Sequence, residues 1–140
     1  MSRKSLIAAA ILAAALVAGC SRQSTHHLGE WDAQLFNVGA PPIGGGTFLF
    51  SADGKVKAHW GASAGSVDWE GDYAIDYAKD PIRLEIRWKA KPPVNLHGSV
   101  RFFGQETNKM QYLFAVATEP LPTDFNHPKS FYWLKKREKK

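Results

Sequence analysis

The stretch Ile82-Arg83-Leu84-Glu85-Ile86-Arg87-Trp88-Lys89 decides the fold. Apolar and charged residues alternate along its whole length, which is the period of a strand with one buried and one wet face. The run before it alternates too, with Trp69, Gly71, Tyr73, Ile75 and Tyr77 opposed to Asp68, Glu70, Asp72 and Asp76. Joining the two through Ala78, Lys79, Asp80 and Pro81 makes a hairpin whose register follows from the turn. Asp76 then faces Arg83, Asp72 faces Arg87 and Glu70 faces Lys89, each pair opposite in sign. On the inner side Ile75 meets Leu84, Tyr73 meets Ile86, and Gly71 meets Trp88, where the missing side chain leaves room for the indole.

This register bears on the acidic triplet Asp68, Glu70 and Asp72. Carboxylates at alternate positions on one strand face could hold a hard cation or supply an acid and a base for glycoside hydrolysis. With cationic residues opposite them, they read instead as a solvated, paired surface.

Outward from this hairpin the same period recurs. Strands are expected over residues 30–38, 46–51, 55–60, 67–77, 82–89, 95–103, 109–117 and 130–135, bounded by Gly, Pro and Asp, with no convincing helical period after Glu30. A second hairpin turns at Ser51-Ala52-Asp53-Gly54-Lys55, where Gly54 supplies a positive φ. Gly44, Gly45 and Gly46 read as a mobile loop at a barrel mouth; no Lys with Ser or Thr follows them, so they are not a phosphate loop. The fold class is all-β. Eight strands with short connections fit a closed antiparallel barrel or a tight sandwich, since closure removes unpaired edges.

The aromatic residues, five Trp, four Tyr and eight Phe, all follow residue 20 and must fill the core of one domain. The net charge of +5 is unevenly placed: Arg3 and Lys4 carry +2, residues 135–140 carry +4, and residues 20–134 are left at −1. The basicity belongs to a tail rather than a folded face, which argues against a nucleic-acid partner. His59, His97 and His127 lack an accompanying nucleophile or metal-ligand spacing. No catalytic residue, metal ligand or cofactor is therefore assigned.

The N-terminus has its own logic. Leu6 to Ala18 is an apolar run of 13 residues behind Arg3 and Lys4, too short for the roughly 20 that cross a bilayer and suited to a signal peptide. Val17-Ala18-Gly19-Cys20 resembles a bacterial lipoprotein signal, and Cys20 is the only cysteine. The resemblance implies cleavage before Cys20, acyl chains on its sulfur and its new amino group, and membrane attachment in the cell envelope. Ser21 at the next position resembles the pattern exported to the outer membrane. The expected organisation is a signal peptide at 1–19, an acylated tether at 20–28, a barrel domain at 29–135 and a basic tail at 136–140. His26 and His27 fall in the tether, where two ligands alone make a weak metal site.

Gly29-x-Trp31 resembles the motif that opens the first strand of lipocalins. From about Gly29 to Lys136 the chain is similar to an uncharacterised lipocalin-like family of exported bacterial proteins. Gly71, Tyr73, Asp76, Pro81, Leu84 and Ile86, then Pro122-Thr123-x-Phe125 before the last strand, carry the likeness; Leu121 stands where that family usually has arginine, and its characteristic cysteine is absent. The resemblance implies an eight-stranded barrel, and a cation from Lys135, Lys136 or Arg137 stacked on Trp31. It also implies a lumen for a small apolar ligand, with Trp60, Trp69, Tyr73, Trp88 and Tyr112 as candidate contacts. Against this, each aromatic side chain occupies about 150–250 Å² of buried surface, and a small barrel filled by its own rings leaves little room. The alternative is a packed barrel acting as an envelope protein–protein interaction module, with the segment Trp60 to Ser66 as a flexible contact loop.

Overall fold

The computed structural model describes residues 24–39, 44–62 and 65–138. The expected signal peptide and Cys20 lie outside the described residues. Eight strands follow one another: β1 (Gly29–Asn37), β2 (Gly45–Phe50), β3 (Lys55–Ala62), β4 (Gly65–Asp76), β5 (Ile82–Trp88), β6 (Val94–Phe103), β7 (Lys109–Val116) and β8 (Ser130–Lys136). Each pairs antiparallel with the next, and β8 returns to β1, from Trp31 opposite Lys136 to Asn37 opposite Ser130. The sheet is thus a closed eight-stranded barrel, the lipocalin-like architecture expected. Every strand lies within two residues of its expected bounds.

The β4–β5 hairpin has the register read from its sequence: Asp76 opposite Arg83, Ile75 opposite Leu84, Tyr73 opposite Ile86, Asp72 opposite Arg87 and Gly71 opposite Trp88. Glu70 meets Lys89 through the Lys89 N–H, which donates to the Glu70 carbonyl at 2.8 Å. The side-chain partners of the acidic triplet, however, come from β3. Lys55 Nζ lies 2.6 Å from Asp72, Lys57 Nζ 3.9 Å from Glu70, and His59 Nδ1 2.5 Å from Asp68. An outward carboxylate on an inner strand has neighbours on both sides, and a hairpin register addresses only one of them. Arg83 meanwhile pairs with Glu85 on its own strand at 3.3 Å.

Gly71 is required for a reason other than room for the Trp88 indole. A Cβ there would overlap the Arg87 carbonyl oxygen and come within 3.1 Å of Trp88 Cα, so it is the neighbouring backbone, not the indole, that requires glycine. At Gly98 a Cβ would overlap the Leu113 carbonyl oxygen and approach Tyr112 Cε1 to 2.7 Å, so glycine is required where β6 meets β7. Gly45, expected in a loop, belongs to β2 together with Gly46, and Gly61, Ala62, Gly65 and Ser66 are paired in the β3–β4 hairpin. The proposed contact loop is therefore mostly strand.

The turns β2–β3, β4–β5 and β6–β7 share one end of the barrel with the N-terminal segment. That end is sealed. Trp31, Val56, Leu84, Val100, Met110, Tyr112 and Leu134 are almost completely buried there and toward the middle, each aliphatic side chain contributing about 1.5–3 kcal/mol. The expected tether is part of the seal: His27 is buried, its carbonyl accepts from Trp31 Nε1 at 2.9 Å, and Lys136 Nζ donates to the His26 carbonyl at 2.9 Å. The expected basic tail is likewise engaged, since Lys136 ends β8 and Arg137 bonds Asp32 at 2.7 Å and Glu30 at 3.0 Å on β1.

Residues 117–129 connect β7 to β8 and fold back over the outer face of β6 and β7. Ser99 Oγ donates to the Pro122 carbonyl at 2.6 Å, and the Arg101 guanidinium sits 4.9 Å from the centroid of Phe125. Outward-facing Ser99, Gln111 and Leu113 are consequently buried. Pro122 and Phe125 of the sequence motif before the last strand thus pin this cover.

Candidate functional site

Among the described residues, the end where β1–β2, β3–β4, β5–β6 and β7–β8 are joined is open. A cavity of about 440 Å³ enters there, walled by Leu35, Phe48, Ala58, Trp60, Val67, Trp69, Trp88, Val94, Leu96, Phe114 and Tyr132. These are the inward positions of β1 to β8, so strand alternation places them all on one inner surface. None carries a charge. The volume lies in the range of small-molecule sites.

Tyr132 is the hub of the wall. Its ring stacks on Phe114 with centroids 4.6 Å apart and meets Phe48 edge-on at 5.0 Å and Trp60 edge-on at 5.9 Å. Trp69 and Trp88 form a second edge-to-face pair at 5.9 Å. Trp60 packs directly over Gly46, where a Cβ would stand 2.5 Å from its Cε3. Burial pushes the Tyr132 hydroxyl up to about 12, so the phenol stays neutral.

Of the residues singled out in the sequence, Trp60, Trp69 and Trp88 meet at this cavity. Tyr112 lies below it, stacked against Tyr132 at 6.4 Å, with its hydroxyl donating to the Leu84 carbonyl at 3.0 Å; burial raises its pKa strongly. Tyr73 belongs to the sealed end. Leu35, Val67, Val94 and Leu96 were not singled out, although their inward parity was legible. What parity leaves open is height along the barrel axis. The inward aromatic residues accordingly divide between two tasks: those of the sealed half fill it, and those of the open half line it without filling it, while Phe36 with Phe131 and Phe103 with Trp133, expected in the core, pair on the outer face.

The rim is apolar as well. Trp69 and Val67 on β4 are partly exposed, and Val38 and Val116, at the ends of β1 and β7, are exposed at the same end.

At the sealed end the polar groups satisfy one another. Tyr73 donates its hydroxyl proton to the Ser51 carbonyl at 2.7 Å, so its oxygen accepts from His27 Nε2 at 3.0 Å. Nδ1 of the same ring is then the unprotonated nitrogen and accepts from the Tyr77 hydroxyl at 2.8 Å. Burial first, then the charge of Lys136 and the neighbouring His26, lower the His27 pKa to about 4. The other histidines are engaged near the surface, His97 Nε2 with the Glu119 carbonyl at 2.7 Å and His127 Nδ1 with Asp124 at 2.9 Å. Among the described residues no three His, Cys, Asp or Glu side chains are grouped to hold a metal ion.

No protein-family model matches the chain, and no curated protein is significantly similar to it in sequence.

Proposed function

We propose that this protein is an envelope lipoprotein of lipocalin-like type, acylated at Cys20, whose barrel takes up a small apolar molecule through its open end. The observation that carries the reading is the division of the barrel interior: one half packed solid, the other a charge-free cavity of about 440 Å³ walled by aromatic rings. Filling it would remove apolar surface from water on both sides, at about 25 cal/mol per Å².

The anchor fits this arrangement. Ser24 is at the sealed end, four residues after Cys20, and four residues reach at most about 14 Å. An acylated Cys20 would hold the sealed end against the membrane and leave the mouth on the far side. Several acyl chains at about 0.8 kcal/mol per buried CH₂ give firm attachment. Export past the inner membrane follows from the Ser21 pattern, and no role in nucleic-acid binding or catalysis is proposed.

Native mass spectrometry of the protein extracted from membranes tests both parts. The expected result is a chain beginning at Cys20 with acyl mass on it, and a co-purifying apolar small molecule that is lost when Trp60 and Trp88 are replaced by alanine. A chain retaining residues 1–19 refutes the anchor; an empty barrel that also fails to quench its tryptophans with any hydrophobic probe refutes the ligand.

A second reading, a docking module for another envelope protein, draws on the exposed Val38, Val67, Trp69 and Val116 around the mouth. It is separated from the first by whether alanine at Val38 and Val116, outside the cavity wall, abolishes a protein contact while leaving small-molecule binding intact.

A further inference from the structure

We infer that the molecule held in the cavity is uncharged and carries a hydrogen-bond-accepting oxygen, which the Tyr132 hydroxyl engages from β8 and the Trp88 indole from β5. This rests on the reading of the open half as a ligand site, and it follows from which polar groups of the barrel have partners.

The hydroxyls of Tyr73, Tyr77 and Tyr112 are each hydrogen-bonded within the protein, as is the indole N–H of Trp31. Tyr132 is the exception among the tyrosines: its hydroxyl has no partner among the described residues, yet it is not sealed from solvent. The Trp88 N–H is in the same condition although the residue is buried, unlike the equally unpartnered indoles of Trp60 and Trp69 on the same wall, which are more exposed. Both side chains face the cavity. A native interior leaves few such groups unpaired, and those that remain open toward a cavity are where a bound molecule or water completes the bonding.

The chemistry of the wall then narrows the class. The indole offers only a donor, and the neutral phenol offers a donor and an acceptor. An accepting oxygen, as in a ketone, ester or ether, satisfies both. A pure hydrocarbon would displace water from the hydroxyl and return nothing, which weakens binding on the order of tenfold relative to a ligand that replaces the bond. A carboxylate would enter a wall with no Lys, Arg or His, and an ammonium would gain cation–π contact from the ring faces but find no carboxylate to offset its desolvation.

The test compares four ring probes of similar size on the full chain in phosphatidylcholine nanodiscs, against empty nanodiscs: 1-tetralone, tetralin, 1-naphthoate and benzyltrimethylammonium. Affinity is read by calorimetry and by tryptophan quenching. The expected result is that 1-tetralone binds about tenfold more tightly than tetralin, and that Tyr132→Phe removes most of this preference. Independently of any variant, the carbonyl infrared band of bound 1-tetralone should fall below its frequency in cyclohexane. Equal affinities for ketone and hydrocarbon, a carbonyl band at its cyclohexane position, or tightest binding of the naphthoate or the ammonium each overturns the inference while leaving a ligand site. If none of the four binds, the ligand-site reading fails and takes the inference with it.

Discussion

The Lys136 ammonium stands 5.0 Å from the centroid of the Trp31 indole, closing the first strand onto the last at the sealed end of the barrel. The same Nζ donates to the His26 carbonyl, and Trp31 Nε1 donates to the His27 carbonyl. One cation and one indole thus tie together β1, β8 and the segment that precedes them.

Lys136→Met keeps the aliphatic stem over the ring and removes the charge, so it should cost about 0.5–1 kcal/mol for the cation–π contact, with a further loss from the freed His26 carbonyl. Trp31→Ala removes a fully buried indole and should cost about 3–5 kcal/mol. Urea unfolding midpoints measure both. A Lys136→Met protein as stable as the parent would show that the ammonium merely rests there.

His27 makes stability depend on pH. A histidine in the unfolded chain binds its proton near 6.5, whereas in the fold His27 does so only near 4. Between those values the unfolded chain holds the extra proton, so its contribution is fully present above pH 6.5 and is lost as the pH falls toward 4. The difference in unfolding midpoint between the parent and His27→Gln should therefore shrink on acidification through this window. A difference that is constant with pH would rule out the titration of His27 as its source.

Gly46→Ala should empty the site of function from within the wall. The new methyl would stand 2.5 Å from Trp60 Cε3 and against the His59 carbonyl oxygen, so the indole must swing into the cavity. Stability should drop by about 1–3 kcal/mol, and affinity for hydrophobic probes should fall at least tenfold. Unchanged tryptophan emission and unchanged binding would mean that the wall relaxes outward instead.

Ser99→Ala should loosen the cover over β6 and β7. It breaks the 2.6 Å bond to the Pro122 carbonyl, worth about 1 kcal/mol net. Amide hydrogen exchange should rise in residues 117–129 while β4 and β5 keep their protection. Uniform acceleration across the barrel would indicate global destabilisation rather than release of the segment.

Strand positions and the β4–β5 register were legible because period-two alternation and turn residues act over a few neighbours, and slipping by one residue would turn Ile82, Leu84, Ile86 and Trp88 out to water. His27 was not legible. Its surroundings, Ser-Thr-His-His, read as solvated chain, and its burial depends on hydroxyls 46 and 50 residues away on Tyr73 and Tyr77. The side-chain ion partners of Glu70 and Asp72 lie on β3 rather than β5 for a related reason: both flanking strands offer cations, and side-chain geometry chooses between them.

By itself, the order of residues determined eight strands and which side of each faces inward, since alternation is local, while a closed barrel and a tight sandwich fitted it equally. Only the three-dimensional packing decided that the inward rings of one half interlock while those of the other stand apart around a void. That choice depends on how side chains from different strands meet at the same height, a sum of distant contacts to which no short stretch of chain has access.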